Sequence, residues 1–300
     1  MPAVHLVDAS FFIFRAYYSI PNHMVDSDGR PVNAVYGFAR FLSDLLERER
    51  PTHLAMAFDE SLSSSFRNRL YPPYKANRDP PPPELKEQFS RCRELCNCLG
   101  LATFSSAEYE ADDIIGTIAT RMRATGFVST IVTRDKDLAQ LVHVGDEFWD
   151  YMADERIAYA DIATRFGVRP ERMADFLALT GDPVENIPGV PGVGKKTAAA
   201  LLTRFASLDE LYGDLSLVSE LSIRGARSLG AKLAEHRDAA YLARELTRIA
   251  CDMPLLVSEN RLRCQPVLRE DLALFYDRAG FGPMLRHQAD RISKAVATYY

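Results

Sequence analysis

Three aspartates of this 300-residue chain stand where short apolar runs end. Asp8 closes Val4-His5-Leu6-Val7, Asp59 closes the run from His53 to Phe58, and Asp135 follows the run from Val128 to Thr133. Six more acids fall in nearby patterns: Glu110, Asp112 and Asp113 in one tetrapeptide, Asp137 two residues past Asp135, and Asp182 with Glu185 in Gly181-Asp182-Pro183-Val184-Glu185-Asn186. If such anions met without cations they would repel one another, and several would take up protons instead. Divalent ions remove that conflict, and ligation by oxygen alone suits the hard ions Mg²⁺ or Mn²⁺ rather than zinc. Two such ions about 3.5 to 4 Å apart activate a water and stabilise a leaving oxygen in phosphodiester hydrolysis.

The elements that would hold these acids are legible from the pattern. β-rich runs of this length read as buried strands of a largely parallel sheet, whose ligands collect at the carboxyl ends of the strands. Longer amphipathic runs alternate with them, which is the pattern of an α/β domain. Val35 to Leu46 places Phe38, Phe41, Leu42 and Leu45 on one helical face, and Asp112 to Met122 does so with Ile114, Ile115 and Ile118. Helical geometry sets Glu110 and Asp113 about 60° apart around the axis, so acids of one first turn can face one ion. Acids that only cap a helix are the plainer reading of the same residues, and Asp137 by itself could be such a cap.

Two further segments suit nucleic acid. Ser61 to Arg78 carries Arg67, Arg69, Lys75 and Arg78 among Phe66, Tyr71 and Tyr74, with no acid. Cations serve phosphates and ring faces serve bases, as a single strand requires; a solvated loop with docked aromatics is the alternative. Gly189-Val190-Pro191-Gly192-Val193-Gly194-Lys195-Lys196-Thr197 is close to a phosphate-binding P-loop, but Lys196 stands where Ser or Thr is needed and no strand precedes it. Nucleotide binding is therefore not expected. A Gly-rich turn opening a helix can instead aim backbone N–H groups at a DNA phosphate, with Lys195 and Lys196 alongside.

Composition narrows the class. The chain is 47% hydrophobic, enough for a sizeable core, with no run near the ~18 apolar residues of a membrane span and no secretory-type start. A cytoplasmic protein is expected. Five cysteines without paired spacing argue against disulfides, and Cys92, Cys96 and Cys98 fit an ordinary helix better than a zinc site. A net charge of −5 counts against nucleic acid only if the acids are dispersed. From about Arg169 the pattern changes to short helices split by Gly and Pro, with turns at 189–194 and 224–226 each leading into a helix, and a strand expected only at Arg261 to Cys264.

Tyr74-Lys75-Ala76-Asn77-Arg78, Glu110-Ala111-Asp112-Asp113, Asp135-Lys136-Asp137 with Gln140-Leu141-Val142, and Asn186 to Thr197 occur in one order. In these motifs, and from Leu6 to about Ile249, the chain resembles the bacterial and phage 5′-nucleases, the flap endonuclease class that includes the 5′-nuclease domain of bacterial DNA polymerase I. The resemblance implies an α/β, PIN-like nuclease core with a mostly parallel central sheet over residues 1–166, and a helical arch at about 60–92. It further implies an all-helical helix-three-turn-helix subdomain over 167–250; residues 251–300 are expected to pack back on the core. Carried over by position, Asp8, Asp59, Glu110, Asp112 and Asp113 would hold a first Mg²⁺ or Mn²⁺, and Asp135, Asp137, Asp182 and Glu185 a second. Lys75 and Arg78 would meet the scissile phosphate, Tyr74 would stack on a base, and Arg67, Arg69, Gly192, Gly194, Lys195 and Lys196 would contact DNA. The carbonyls of Val190 and Val193 would hold a K⁺ ion.

The implied activity is a divalent-metal-dependent 5′-nuclease, exonuclease or flap endonuclease, acting on DNA with a 5′ flap, 5′ overhang or junction, or on an RNA primer, in replication or repair. No membrane and no nucleotide cofactor are expected. The family usually has Asp where this chain has Glu185, and the extra methylene is expected to weaken the second ion. No polymerase segment follows Tyr300, which suits either a free-standing nuclease or a piece of a longer protein. Two rival readings are a DNA-structure-binding protein with a decayed centre and a PIN-type ribonuclease.

Overall fold

In the computed structural model, which describes residues 1–60 and 64–296, the runs that end in acids are strands. In chain order the strands are β1 (Ala3–Asp8), β2 (Leu54–Asp59), β3 (Ala102–Ser106), β4 (Val128–Val132), β5 (Glu147–Asp150) and β6 (Glu155–Ala158). The first seven helices are α1 (Ala9–Ser19), α2 (Asn33–Glu49), α3 (Phe66–Leu70), α4 (Pro83–Cys98), α5 (Ala111–Ala124), α6 (Tyr159–Phe166) and α7 (Met173–Thr180). The others are α8 (Lys195–Arg204), α9 (Leu208–Gly213), α10 (Ala226–Glu235), α11 (Arg237–Thr247), α12 (Glu259–Leu262), α13 (Arg269–Arg278) and α14 (Pro283–Val296). These residues form two compact units. One joins Met1–Glu60, Pro80–Arg134 and the described residues from Cys251 onward, and the other joins 64–79 with Asp135–Ala250. That division interleaves along the chain.

In the first unit β1 pairs in parallel with β2 and with β4, and β2 pairs in parallel with β3, giving the order β3-β2-β1-β4. Val4, Leu6, Val7, Leu54, Met56, Phe58, Ile131 and Val132 are wholly buried, as a parallel sheet covered on both faces requires. The chain runs outward from β1 to β3 and then crosses to the far side of β1 for β4. Asp8 therefore ends its strand at the point where strand order reverses, the usual ligand position of such sheets.

Helices cover the sheet with the faces their periodicity predicts. Phe38, Leu42 and Leu45 of α2 are fully buried, and Phe41 stacks on Phe12 of α1 with ring centroids 3.6 Å apart. In α5, Ile114, Ile115, Ile118 and Met122 are buried in the same way. Pro83 opens α4, where the missing N–H of proline costs nothing, and Cys92, Cys96 and Cys98 are buried within that helix as free thiols. The C-terminal residues pack on this unit: Cys264 N donates to Thr52 O at 2.9 Å, Gln265 N to Gly100 O at 2.8 Å and Leu268 N to Cys98 O at 2.8 Å.

One local expectation is corrected, and two elements had no sequence pattern to announce them. Arg261 to Cys264 is not a strand: Ser258 caps the short helix α12 by accepting from Arg261 N, and only an isolated bridge joins Arg263 to His53. Strand β3 escaped the pattern because its Ala-Thr-Phe-Ser-Ser run buries only Phe104 fully. The antiparallel hairpin β5–β6 was also missed. Its turn is closed by Asp150 Oδ1, which accepts from Met152 N and Ala153 N, and its cross-strand pair sets Arg156 over buried Trp149 with 4.0 Å between guanidinium carbon and ring centroid.

In the second unit the helical run from α6 to α11 follows the Gly and Pro punctuation. Gly194 and Gly225 stand at the amino ends of α8 and α10, as the two turns predict. Gly189 has a different task from the one its motif suggests. A Cβ there would lie 2.3 Å from Thr180 C and 2.4 Å from Gly181 N, so the glycine lets two backbones touch at the end of α7. Around Gly194 a Cβ would meet nothing within 4 Å. Gly189→Ala should therefore lose about 1 to 3 kcal/mol of stability in urea unfolding, the usual scale of overpacking. Gly194→Ala should lose less than about 1 kcal/mol. Equal unfolding midpoints for the two variants would contradict this assignment.

Candidate active site

The acids of the first unit are held by ends of strands and helices. Asp8 ends β1 and caps α1: its Oδ1 accepts from Phe11 N at 3.1 Å, and its Oδ2 accepts from Thr133 Oγ1, just past β4, at 3.1 Å. Asp59 ends β2, its N–H donates to Ser10 Oγ at 2.8 Å, and its Oδ1 accepts from Ala111 N at 2.8 Å. At the amino end of α5, Glu110 and Asp113 cap each other. The Glu110 carboxylate accepts from the Asp113 backbone, and Asp113 Oδ2 accepts from Glu110 N at 3.0 Å. This is the capping arrangement in which side chain and backbone exchange bonds across one turn. Asp8, Glu110 and Asp113 are buried, and Asp59 and Asp112 are partly so. Ser10 and Thr133 carried no sequence signal beyond lying next to the strand ends.

Two acids of the second unit, Asp137 and Asp182, share a lysine. Asp135 caps the short 3₁₀ turn Lys136–Leu141, with its Oδ1 accepting from Asp137 N at 3.0 Å, so the capping acid is Asp135 rather than Asp137. Lys136 Nζ lies 3.1 Å from Asp137 Oδ1 and donates to Asp182 Oδ2 at 2.9 Å. Asp182 Oδ1 accepts from Val184 N at 2.8 Å and so shapes the loop that carries Glu185. Burial pushes the Asp137 carboxyl up to about 7, and the neighbouring Asp135 and Glu185 push the same way. Burial also opposes ionisation of Asp182, but the Lys136 ammonium outweighs it and holds that carboxyl below its ordinary value. Asp137 and Asp182 in turn outweigh the burial of Lys136 and raise its affinity for its proton. Lys136 was visible only as the middle of an Asp-Lys-Asp triplet.

The basic and aromatic segment is sorted by burial. Residues 61–63 of it lie outside the described residues. Arg67 is buried in this unit, donating from Nε to Leu246 O at 2.8 Å and from Nη2 to Arg248 O at 3.0 Å, which makes it a structural arginine and not an exposed phosphate contact. Tyr74 is 2% exposed, so its ring offers no open face to a base. Its hydroxyl donates to Glu185 Oε2 at 3.2 Å. Lys75 and Arg78 reach Glu185 Oε1 at 3.4 and 3.6 Å, and Arg69 is exposed.

At the Gly-rich turn, Gly192, Gly194, Lys195 and Lys196 are all exposed. Gly194 brings no capping side chain to α8, so the first-turn N–H groups keep the direction an anion would need. A Cβ on Gly192 would come within 3.4 Å of Lys232 Nζ, a cation beside the turn that sequence spacing did not reveal. Val190 and Val193 are buried, and the Val190 carbonyl accepts from Val193 N at 2.9 Å.

The donor chemistry of both acidic groups fits a hard divalent cation, since every candidate donor is a carboxylate oxygen. Asp137 Oδ1 adds a buried oxygen that accepts no hydrogen bond of regular geometry. The groups are not ready-made cages, however. Among the described residues no three His, Cys, Asp or Glu side chains stand together as an ion would need them. No described helix is long and apolar enough to cross a membrane.

Comparison with known proteins adds the following. Residues 3–167 match the family described as 5′-3′ exonuclease, N-terminal resolvase-like domain, and residues 168–270 match 5′-3′ exonuclease, C-terminal SAM fold. The chain is 40% identical over 292 residues to DNA polymerase I of Rhizobium leguminosarum, covering 95% of this chain and 28% of that protein. It is 36% identical over 297 residues to DNA polymerase I of Bacillus subtilis, covering 97% and 32%. The chain thus spans about a third or less of the length of these relatives. Its fold is similar to that of a bacteriophage T5 protein co-crystallised with metal ions, with a TM-score of 0.66 at 16% identity over 99% of this chain and 98% of that one. It is also similar to a bacteriophage T5 flap endonuclease in a pseudo-enzyme-product complex with DNA and metal ions, with a TM-score of 0.66 at 18% identity over 98% and 99%. The α/β core with parallel strands and the helical C-terminal domain are those the sequence predicts.

The position of Asp137 has a measurable consequence. A carboxyl raised from 3.8 to about 7 in the folded chain binds its proton more tightly than the unfolded chain does. Its contribution to stability is therefore full below about pH 4 and is lost as pH rises through about 7. In EDTA, the melting temperature of Asp137→Asn should gain on that of the unaltered protein between about pH 4 and 7 and level off above about 8. A difference that stays constant across this range would contradict the buried, crowded carboxyl.

Proposed function

Because the chain belongs to the 5′-3′ exonuclease family, we propose that it hydrolyses DNA phosphodiesters at 5′ ends and at junctions of single strand and duplex, in replication or repair. The observation that carries this reading is that Asp8 and Asp59 end the parallel strands β1 and β2, while Asp59 accepts from Ala111 N at the amino end of α5, where Glu110 and Asp113 cap each other. In this reading Asp8, Asp59, Glu110, Asp112 and Asp113 hold one divalent ion, Mg²⁺ or Mn²⁺, and Asp135, Asp137 and Asp182 hold a second. Bound divalent ions supply Lewis acidity and neutralise phosphate charge. Lys75 and Arg78 add fixed positive charge where negative charge grows on the phosphate, which lowers the barrier most when the donors are already oriented.

Duplex DNA would be held at the Gly-rich turn. Backbone N–H groups at Gly192 and Gly194, with Lys195 and Lys196, meet phosphates without reading bases, and the carbonyls of Val190 and Val193 accommodate K⁺ beside that backbone. Arg69 contributes a further exposed cation. Acting on DNA, the protein would work in the cytoplasm.

A 5′-flap oligonucleotide incubated with Mg²⁺ should be cut, and the same mixture with EDTA should not. Asp113→Asn should slow turnover by about 100-fold or more while DNA affinity, measured by fluorescence anisotropy, changes by less than about threefold. Unchanged turnover in this variant, or full cleavage in EDTA, would falsify the assignment.

A further inference from the structure

Residues 73–78 and 182–186 of the second unit are joined by backbone and side chain alike. Lys75 N donates to Glu185 O at 2.9 Å, Asn186 Nδ2 to Pro73 O at 2.7 Å and Asn77 Nδ2 to Pro183 O at 3.0 Å. Arg78 Nε reaches Val184 O at 3.4 Å. The Glu185 carboxylate lies at the centre of this seam. Its Oε2 accepts from Tyr74 Oη at 3.2 Å, and its Oε1 is 3.4 Å from Lys75 Nζ and 3.6 Å from Arg78 Nη2.

These are not solvated surface pairs. The side chain of Lys75 is 9% exposed and that of Glu185 17%, and the Lys75 ammonium stands 4.9 Å from the centroid of the buried Tyr74 ring. Lys75 also has φ 55°, a left-handed conformation that costs a residue with a side chain and has to be fixed by its surroundings. A carboxylate one methylene shorter would draw its oxygens back by about 1.5 Å, beyond ion-pair reach of both cations.

We propose that Glu185 is a positioning residue that orients Lys75 and Arg78 through its carboxylate, and that it is not a ligand of a divalent ion. The inference rests on the reading of Lys75 and Arg78 as the groups that meet the phosphate. Both Glu185 oxygens already serve donors of the 74–78 turn, and taking up an ion would break a largely buried ion pair, which is strongly unfavourable. Glutamate suits this duty because its carboxylate reaches both cations.

The test measures ion binding and chemistry separately. Mn²⁺ binding is followed by electron paramagnetic resonance, and single-turnover cleavage of a 5′-flap oligonucleotide is measured for Glu185→Gln, Lys75→Ala and the double variant. Glu185→Gln should bind as many Mn²⁺ ions as the unaltered protein, with affinities within about twofold, and should cleave about tenfold or more slowly. Against Lys75→Ala the same substitution should cost less than about threefold, because the group it orients is gone. Tyr74→Phe removes one hydroxyl and should give a smaller loss that also shrinks in the Lys75→Ala background, so the idea remains readable if Glu185→Gln folds poorly. A Mn²⁺ ion lost or bound about tenfold more weakly in Glu185→Gln, tighter binding in Glu185→Asp, or rate losses that simply add would each overturn the proposal. Failure of the unaltered protein to bind Mn²⁺ or to cleave would instead overturn the nuclease reading beneath it.

Discussion

Buried carboxylates have to be answered by donors or cations, and both units are organised around that requirement. In the first unit much of the answer comes from the main chain. The amino ends of α1 and α5 supply N–H groups to Asp8, Asp59, Glu110 and Asp113, and Thr133 adds a hydroxyl. Those helix ends carry partial positive charge, so the sheet's reversal of strand order and the placement of acids there are one arrangement. In the second unit the answer comes from side chains, with Lys136 between Asp137 and Asp182, and Lys75 and Arg78 beside Glu185.

The two solutions differ in what they allow. A backbone N–H at a helix end is fixed in place, so Asp8 and Asp113 are oriented before any ligand arrives, and an ion there would share oxygens with donors that cannot leave. An ammonium on a four-carbon stem can swing away, and Lys136 is itself partly exposed. An ion competing for Asp137 and Asp182 therefore faces a cation that can be displaced. Lys75 is held more tightly, by burial, by the Tyr74 ring and by its own backbone turn.

How much of this was legible depends on the range of the signal. Strands β1, β2 and β4 were visible because buried parallel strands are continuous apolar runs, and α2 and α5 because one face is apolar at helical spacing. The Gly-punctuated turns announced α8 and α10. What the sequence hid was set by contacts distant in the chain. Nothing local marks Arg67 as the partner of the Leu246 and Arg248 carbonyls, or Tyr74 as a core residue, so both read as exposed nucleic-acid contacts. Gly189 read as part of a phosphate-binding turn, although its role is steric, against Thr180 and Gly181. The acids themselves were legible as a set, and their present partners were not.

The central claim is that these acidic groups bind divalent cations. A crystal structure determined in abundant Mn²⁺, with anomalous scattering collected at the manganese edge, tests it most directly. The account predicts one peak bounded by Asp8 and Asp113 oxygens and another bounded by Asp135 and Asp182 oxygens, with Glu185 still on Lys75. Density without manganese at either group, with each carboxylate still on its protein donors, would contradict it.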